Sequence, residues 1–234
     1  MRNYICINGN QTELTDAQVR ELGFTPTKSK LAQTIEEMSD DLQSGELRLG
    51  IHDTVNLAGY EFEIIGFDHD RSAEDSDLST ITLMAKTLLA PRRMHGGACE
   101  HGWIDTELRA YLNNEFIKTL PQELVAHIEP VRKTTHSYNG VAYETTDKLW
   151  IPSESELFGS AIYSDHEDGE RYEAFDTSES RVRIDNDGNR DWYWTRSARG
   201  GNSSGFAYVS YGGYANDINA SGASIRAPLC FAFA

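Results

Sequence analysis

From Thr195 to Ala234 the chain contains no Lys, Glu, Gln, Met or Trp, although these five types supply 39 of the first 194 residues. At uniform usage forty residues would hold about eight of them, and complete absence has odds on the order of one in several thousand. A glycine-rich turn region disfavours long side chains for ordinary reasons and accounts for part of the deficit. What replaces the missing types is the mixture found in antibody loops. Tyr208, Tyr211 and Tyr214 offer rigid amphipathic contact, and Asn202, Ser203, Ser210, Asn216 and Asn219 offer adaptable hydrogen bonding, with Arg199 and Asp217 beside them. These ten residues are the candidate ligand-binding surface. Tyrosines in strands also serve as cross-strand packing, so each has that alternative.

The rest of the chain sets the frame. Its 234 residues suffice for one main domain and a small appendage. A formal charge of −16, from 37 acidic against 21 basic residues, repels a phosphate backbone and an anionic membrane, so nucleic acid is not an expected partner. Cys6, Cys99 and Cys230 are odd in number and widely spaced, which does not read as a disulfide framework. No apolar run reaches membrane-helix length, and Met1 leads into a short strand rather than a signal-peptide core. The expectation is synthesis in the cytoplasm without a cleaved signal and no membrane insertion.

Residues 1–45 read as an N-terminal module. Tyr4–Ile7, the Asn8-Gly9 turn and Gln11–Leu14 form a hairpin; Thr15 with Gln18 makes a capping-box pattern, and Gly23 is a stop. After the Pro26 joint, Leu31, Ile35, Met38 and Leu42 recur at helical spacing, a stripe that packs on its own domain or on a copy of itself as a homo-oligomer. From residue 46 the signal turns to short strands. Thr54–Leu57, Ala58-Gly59 and Tyr60–Phe67 alternate as a hairpin, followed by a strand over 80–83 and an apolar helical face on Trp103, Leu108, Leu112, Phe116 and Leu120, with a second short helix over 124–128. Glu154 and Glu156 read as carboxylates on a surface segment, and residues 164–191 as a long surface loop. The class is α+β, with short antiparallel sheets, two helices and long irregular loops. Trp103, Leu112, Phe116, Trp150, Trp194, Val209, Ile225 and Leu229 are expected in the core, and Arg196 and Arg226 in structural hydrogen bonds.

Several segments resemble a bacterial and phage family, the domain of unknown function 6273. They are Asp53–Leu57 with Tyr60–Ile65, Trp103–Phe116, Leu149–Leu157, Tyr193–Ser197, and the closing Ser224-Ile225-Arg226-Ala227-Pro228-Leu229, where the family more often has Gly-Val-Arg-Pro-Ala-Leu. The likeness runs over about residues 47–234. It implies a C-type-lectin-like fold over 46–234 and a similarity to the variable proteins diversified by retroelements, with a variable region at about 193–225. In such systems template adenines are randomised, Asn codons are favoured targets, and codons ending in a pyrimidine cannot encode Lys, Glu, Gln, Met or Trp. The resemblance therefore implies a non-enzymatic protein of phage or bacterial origin, virion-associated in the phage case, whose partner is a protein or glycan on a target surface. A phage assembly module and an enzyme of the formylglycine-generating type are the rivals.

No cofactor is expected. His95, Cys99 and His101 could supply metal ligands but match no strong zinc spacing. Residues 185–191 have the alternating oxygens of a calcium loop without its register or bidentate Glu, and read as a turn. No nucleophile elbow, phosphate loop or dinucleotide fingerprint occurs.

Overall fold

In the computed structural model, which describes residues 3–7, 10–14, 16–21 and 30–234, the alternating residues near the N-terminus pair as antiparallel strands β1 (Asn3–Ile7) and β2 (Asn10–Leu14), ahead of helix α1 (Asp16–Glu21). The expected Asn8-Gly9 turn, Thr15 cap, Gly23 stop and Pro26 joint lie outside the described residues. Helix α2 (Lys30–Ser44) carries the predicted stripe. Ile35 and Met38 are buried in the main core, with Leu31 and Leu42 packed at its margin, so the stripe covers its own chain.

The hairpin at residue 54 forms where alternation places it, as β3 (Thr54–Leu57) and β4 (Tyr60–Phe67). Its two-residue turn needs positive φ at both positions, and Ala58 at 55° and Gly59 at 85° supply it. Strand β5 (Ile81–Ala85) follows. The expected helical stretch is broken in the structure: a 3-10 turn at Gly102–Asp105, helix α3 (Glu107–Asn114), a second 3-10 turn at Phe116–Thr119, and α4 (Gln122–His127). The break comes at Thr106, whose side chain caps α3 by accepting from the Arg109 amide. Two strands, β6 (Ile128–Glu129) and β7 (Val131–His136), lead to β8 (Ala142–Asp147), which pairs with β7.

Next, α5 (Glu154–Phe158) opens with a full capping box, Ser153 and Glu156 each satisfying the other's backbone N–H, and ends at Gly159 in the left-handed region. Four short strands complete most of the tail and its approach: β9 (Arg183–Ile184), β10 (Arg190–Asp191), β11 (Tyr193–Ala198) and β12 (Gly205–Val209). They are followed by β13 (Ala215–Asn219) and β14 (Cys230–Phe233). The larger sheet has the order β3-β4-β5-β14-β6, and β11-β12-β13 form a second, three-stranded antiparallel sheet. Strands β5 and β14 are buried along their whole length, which puts the core around them. The eight residues expected to anchor the scaffold, from Trp103 to Leu229, are all buried.

Two expectations need correction. Residues 164–191 are not a surface loop throughout, because Tyr172, Ala174 and Phe175 are fully buried and the β9–β10 hairpin lies within the stretch. Likewise Glu154 and Glu156 are not on the surface. Glu154 accepts the backbone N–H groups of Ile162, Tyr163 and Ser164, and Glu156 pairs with buried Arg196, so each has the partners a buried charge requires. The architecture is α+β with short antiparallel sheets, and no described helix is long and apolar enough to cross a membrane.

Candidate functional site

The tail sheet is asymmetric, and the asymmetry sorts its residues. Strand β12 is the middle strand and is buried at every position, with Tyr193 opposite Val209, Trp194 opposite Tyr208, and Phe206 opposite Ile218. Strand β13 is an edge strand, with Asn216 and Asn219 exposed and Asp217 and Ile218 half-buried between them. Two tight turns carry the remaining candidates. In the 199–205 turn, Arg199 N–H donates to the Gly205 carbonyl, the Asn202 side chain accepts from Ser204 N–H, and the Ser203 carbonyl accepts from Cys99 N–H. In the 210–214 turn, Ser210 N–H donates to the Tyr214 carbonyl at 2.8 Å.

Of the ten candidate residues, the structure presents Arg199, Tyr211, Tyr214, Asn216 and Asn219 to solvent, with Asn202, Ser203, Ser210 and Asp217 half-buried. Tyr208 differs, at 6% exposure. Arg199 and Asp217 meet in an ion pair of 2.7 Å. Tyr211 and Tyr214 are 61% and 64% exposed, and with Val141 and Ile162 they are the large exposed hydrophobics among the described residues. One neighbour was not among the ten. Trp192, half-buried, stacks on Tyr211 with ring centroids 6.5 Å apart and lies 5.5 Å from the ring of Tyr208. It immediately precedes β11, all of whose residues are buried.

A second cluster lies in a cleft of about 420 Å³ lined by Asp68, His69, Asp70, Lys133, Glu156, Asp168 and Arg196, among others. Lys133 Nζ is paired with Asp70, with Glu156 Oε1 at 2.9 Å and with the Tyr172 hydroxyl at 3.1 Å, and Arg196 grips Glu156 through both terminal nitrogens. Burial by itself would raise the Asp70 carboxyl, but Lys133 and His69 outweigh it and hold the group well below the usual range. The same contest depresses Glu156, where Arg196 and Lys133 prevail over burial. Asp168 goes the other way, burial raising it although His136 and Arg196 oppose. Burial lowers His69, and neighbouring Asp70 more than compensates, so its net shift is upward.

His69, Asp70 and Glu156 bring three ligand atoms within 4.8 Å of one another, the spacing of a cation site. The lone pairs of Glu156 are already committed, however. Oε1 accepts from Lys133 and Arg196, and Oε2 from Arg196 and from Ser153 N–H. An ammonium occupies the place a metal would take. The cluster neutralises itself and pins α5, β7 and β11 together.

The remaining motifs have local work. Asp185 Oδ1 accepts the Asp187 and Asn189 N–H groups at 2.9 Å each, which makes the β9–β10 turn. Cys99 donates to the Gly102 carbonyl, and His101 pairs with Asp105. Arg226 bonds Asp191 and the Leu89 carbonyl, and Arg196 is buried in its network, the structural roles expected of both.

A family model described as a domain of unknown function, DUF6273, matches residues 79–232, which takes in the tail and the Lys133, Glu156, Asp168 and Arg196 side of the cleft, but neither Asp68, His69 and Asp70 nor the hairpin over 54–67. No curated protein and no solved structure matches the chain.

Proposed function

The chain belongs to the DUF6273 family, and from that premise we propose that it is a non-enzymatic ligand-binding protein that displays a retroelement-diversified surface on a C-type-lectin-like scaffold. The observation that carries this reading is how the restricted tail is divided by burial. Its apolar residues Phe206, Val209, Ile225 and Leu229 lie in the core, while Tyr211, Tyr214, Asn216 and Asn219 face solvent on turns and an edge strand. Side chains can be rewritten at the exposed positions without disturbing the core, and the types present there are those that bind well at low entropic cost. Recognition is equilibrium binding, with aromatic anchors burying area and short polar groups setting specificity. The partner is a protein or glycan on a target surface, reached from a phage particle or a bacterial cell.

Against the formylglycine-generating alternative stand the thiols. Burial pushes Cys99 up to about 11 and Cys230 higher still, which disfavours the thiolate such chemistry uses. The deciding experiment is to sequence the DNA around the gene. A reverse transcriptase gene and a near-copy of the tail's coding sequence, with adenines in the codons of the exposed positions, are expected. Their absence returns the chain to an undiversified domain.

A further inference from the structure

The aromatic contacts of Trp192 bear on how such a surface could hold a partner. Trp192 precedes the stretch from which Trp is missing and cannot be written by a pyrimidine-ending codon, yet it is the ring on which Tyr211 stacks. Its own position is fixed on the backbone, with its N–H donating to Asp191 Oδ1 at 2.8 Å and its carbonyl accepting from Arg226 N–H at 3.1 Å. The ring of buried Tyr208 lies 5.5 Å from it, tilted by 36°, and Trp192 packs partly against the core. The three rings form a graded ledge from the buried Tyr208 through the half-buried Trp192 to the 61% exposed Tyr211.

We propose that Trp192 is a constant binding residue beneath the variable ones, touching the partner with the part of its half-buried side chain that solvent reaches and holding Tyr211 in its bound orientation. This rests on the binding reading above and adds to it a residue outside the diversified stretch. Stacking restricts Tyr211 before the partner arrives, so less rotamer freedom is lost on association. Tyr211 and Tyr214 are 61% and 64% exposed, which suits a macromolecule with an aliphatic hollow better than a small molecule, since small ligands take concave sites that bury most of the side chains touching them. The charge of −16 repels acidic surfaces and favours encounter with basic ones. The partner class is therefore a protein surface of net positive charge with an apolar recess.

The test uses the full chain, displayed on filamentous phage and randomised with pyrimidine-ending codons at positions 202, 203, 211, 214, 216 and 219. Selection is against an immobilised helical protein that lacks tryptophan and carries net positive charge. In a selected binder that retains Tyr211, Trp192→Ala is expected to weaken binding by at least about tenfold and Trp192→Phe by less than about threefold. Trp103, Trp150 and Trp194 are fully buried, so a change in tryptophan emission on saturation reports Trp192 itself. Binders indifferent to Trp192→Ala, with unchanged emission, overturn the proposal and leave the tail's binding role standing. If the Ala variant fails to fold, the emission of the unaltered chain decides, and an unchanged spectrum overturns the proposal. A library that yields no binders removes the binding reading of the tail, and this proposal with it.

Discussion

Glu156 and Arg196, forty residues apart in sequence, meet fully buried in a two-nitrogen, two-oxygen pair that ties the first turn of α5 to strand β11. Removing one member leaves the other's charge buried without its partner. Glu156→Ala is expected to destabilise the chain by about 3–5 kcal/mol, because Arg196 and Lys133 then lose their common acceptor. Urea unfolding of the purified variant measures this, and a loss below about 1 kcal/mol would show the pair to be dispensable.

The same network sets the pH dependence. Asp70 and Glu156 are depressed in the fold, so their contribution is present above their ordinary values of 3.8 and 4.5 and is lost as pH falls through the folded values. His69 is raised, so its contribution is complete below 6.5 and fades as pH rises through its folded value. Asp168, raised by burial, offsets part of the carboxylate gain. Urea midpoints followed from pH 3 to 8 should peak at about pH 5–6, and His69→Gln should flatten the alkaline side and, by removing one of the groups that hold Asp70 down, reduce the acid-side slope as well.

Exposure separates the tyrosines of the tail. Tyr211→Ala and Tyr214→Ala should change stability by no more than about 0.5 kcal/mol, whereas Tyr208→Ala, at 6% exposure, should cost about 3 kcal/mol. Thermal melts of the three variants make the comparison, and equal losses would contradict the burial assignment.

Not every tail position can be rewritten. A methyl group on Gly213, whose φ is +77°, would fall 1.8 Å from the Ser178 carbonyl oxygen, a backbone atom that cannot swing away. Gly97 has open space around it and no positive φ. Gly213→Ala is expected to lower stability by about 2 kcal/mol or more, and Gly97→Ala to be neutral. In a randomised library sorted for folding, Gly213 should persist.

Burial also shields the thiols. Cys99, raised to about 11, and Cys230 should resist iodoacetamide at pH 8 in the folded chain and react once it is denatured. Peptide mapping of the modified residues distinguishes them from Cys6.

Local patterns were the legible part of this fold. Alternation located β3 and β4 to the residue, and the stripe of α2 identified its buried side. What escaped depended on contacts distant in sequence. Glu156 looks like a surface acid until Arg196 and Lys133 arrive, and the buried Tyr172 and Phe175 were masked by acidic neighbours that hid their role. In the tail, composition marked the exposed residues, but it could not separate Tyr208 from Tyr211. That distinction comes from β12 lying between two other strands. Trp192 was missed for the converse reason: it lies just before the anomalous stretch and gains its interest from the rings of Tyr208 and Tyr211 beside it.

The position of β14 between β5 and β6 links translation to closure of the larger sheet. The larger sheet stays split until residues 230–233 have left the ribosome, so a reading-frame error or premature stop in the preceding codons leaves an open core for cellular proteases. Only chains translated intact to Phe233 can close the larger sheet, so folding itself screens the tail for reading-frame errors.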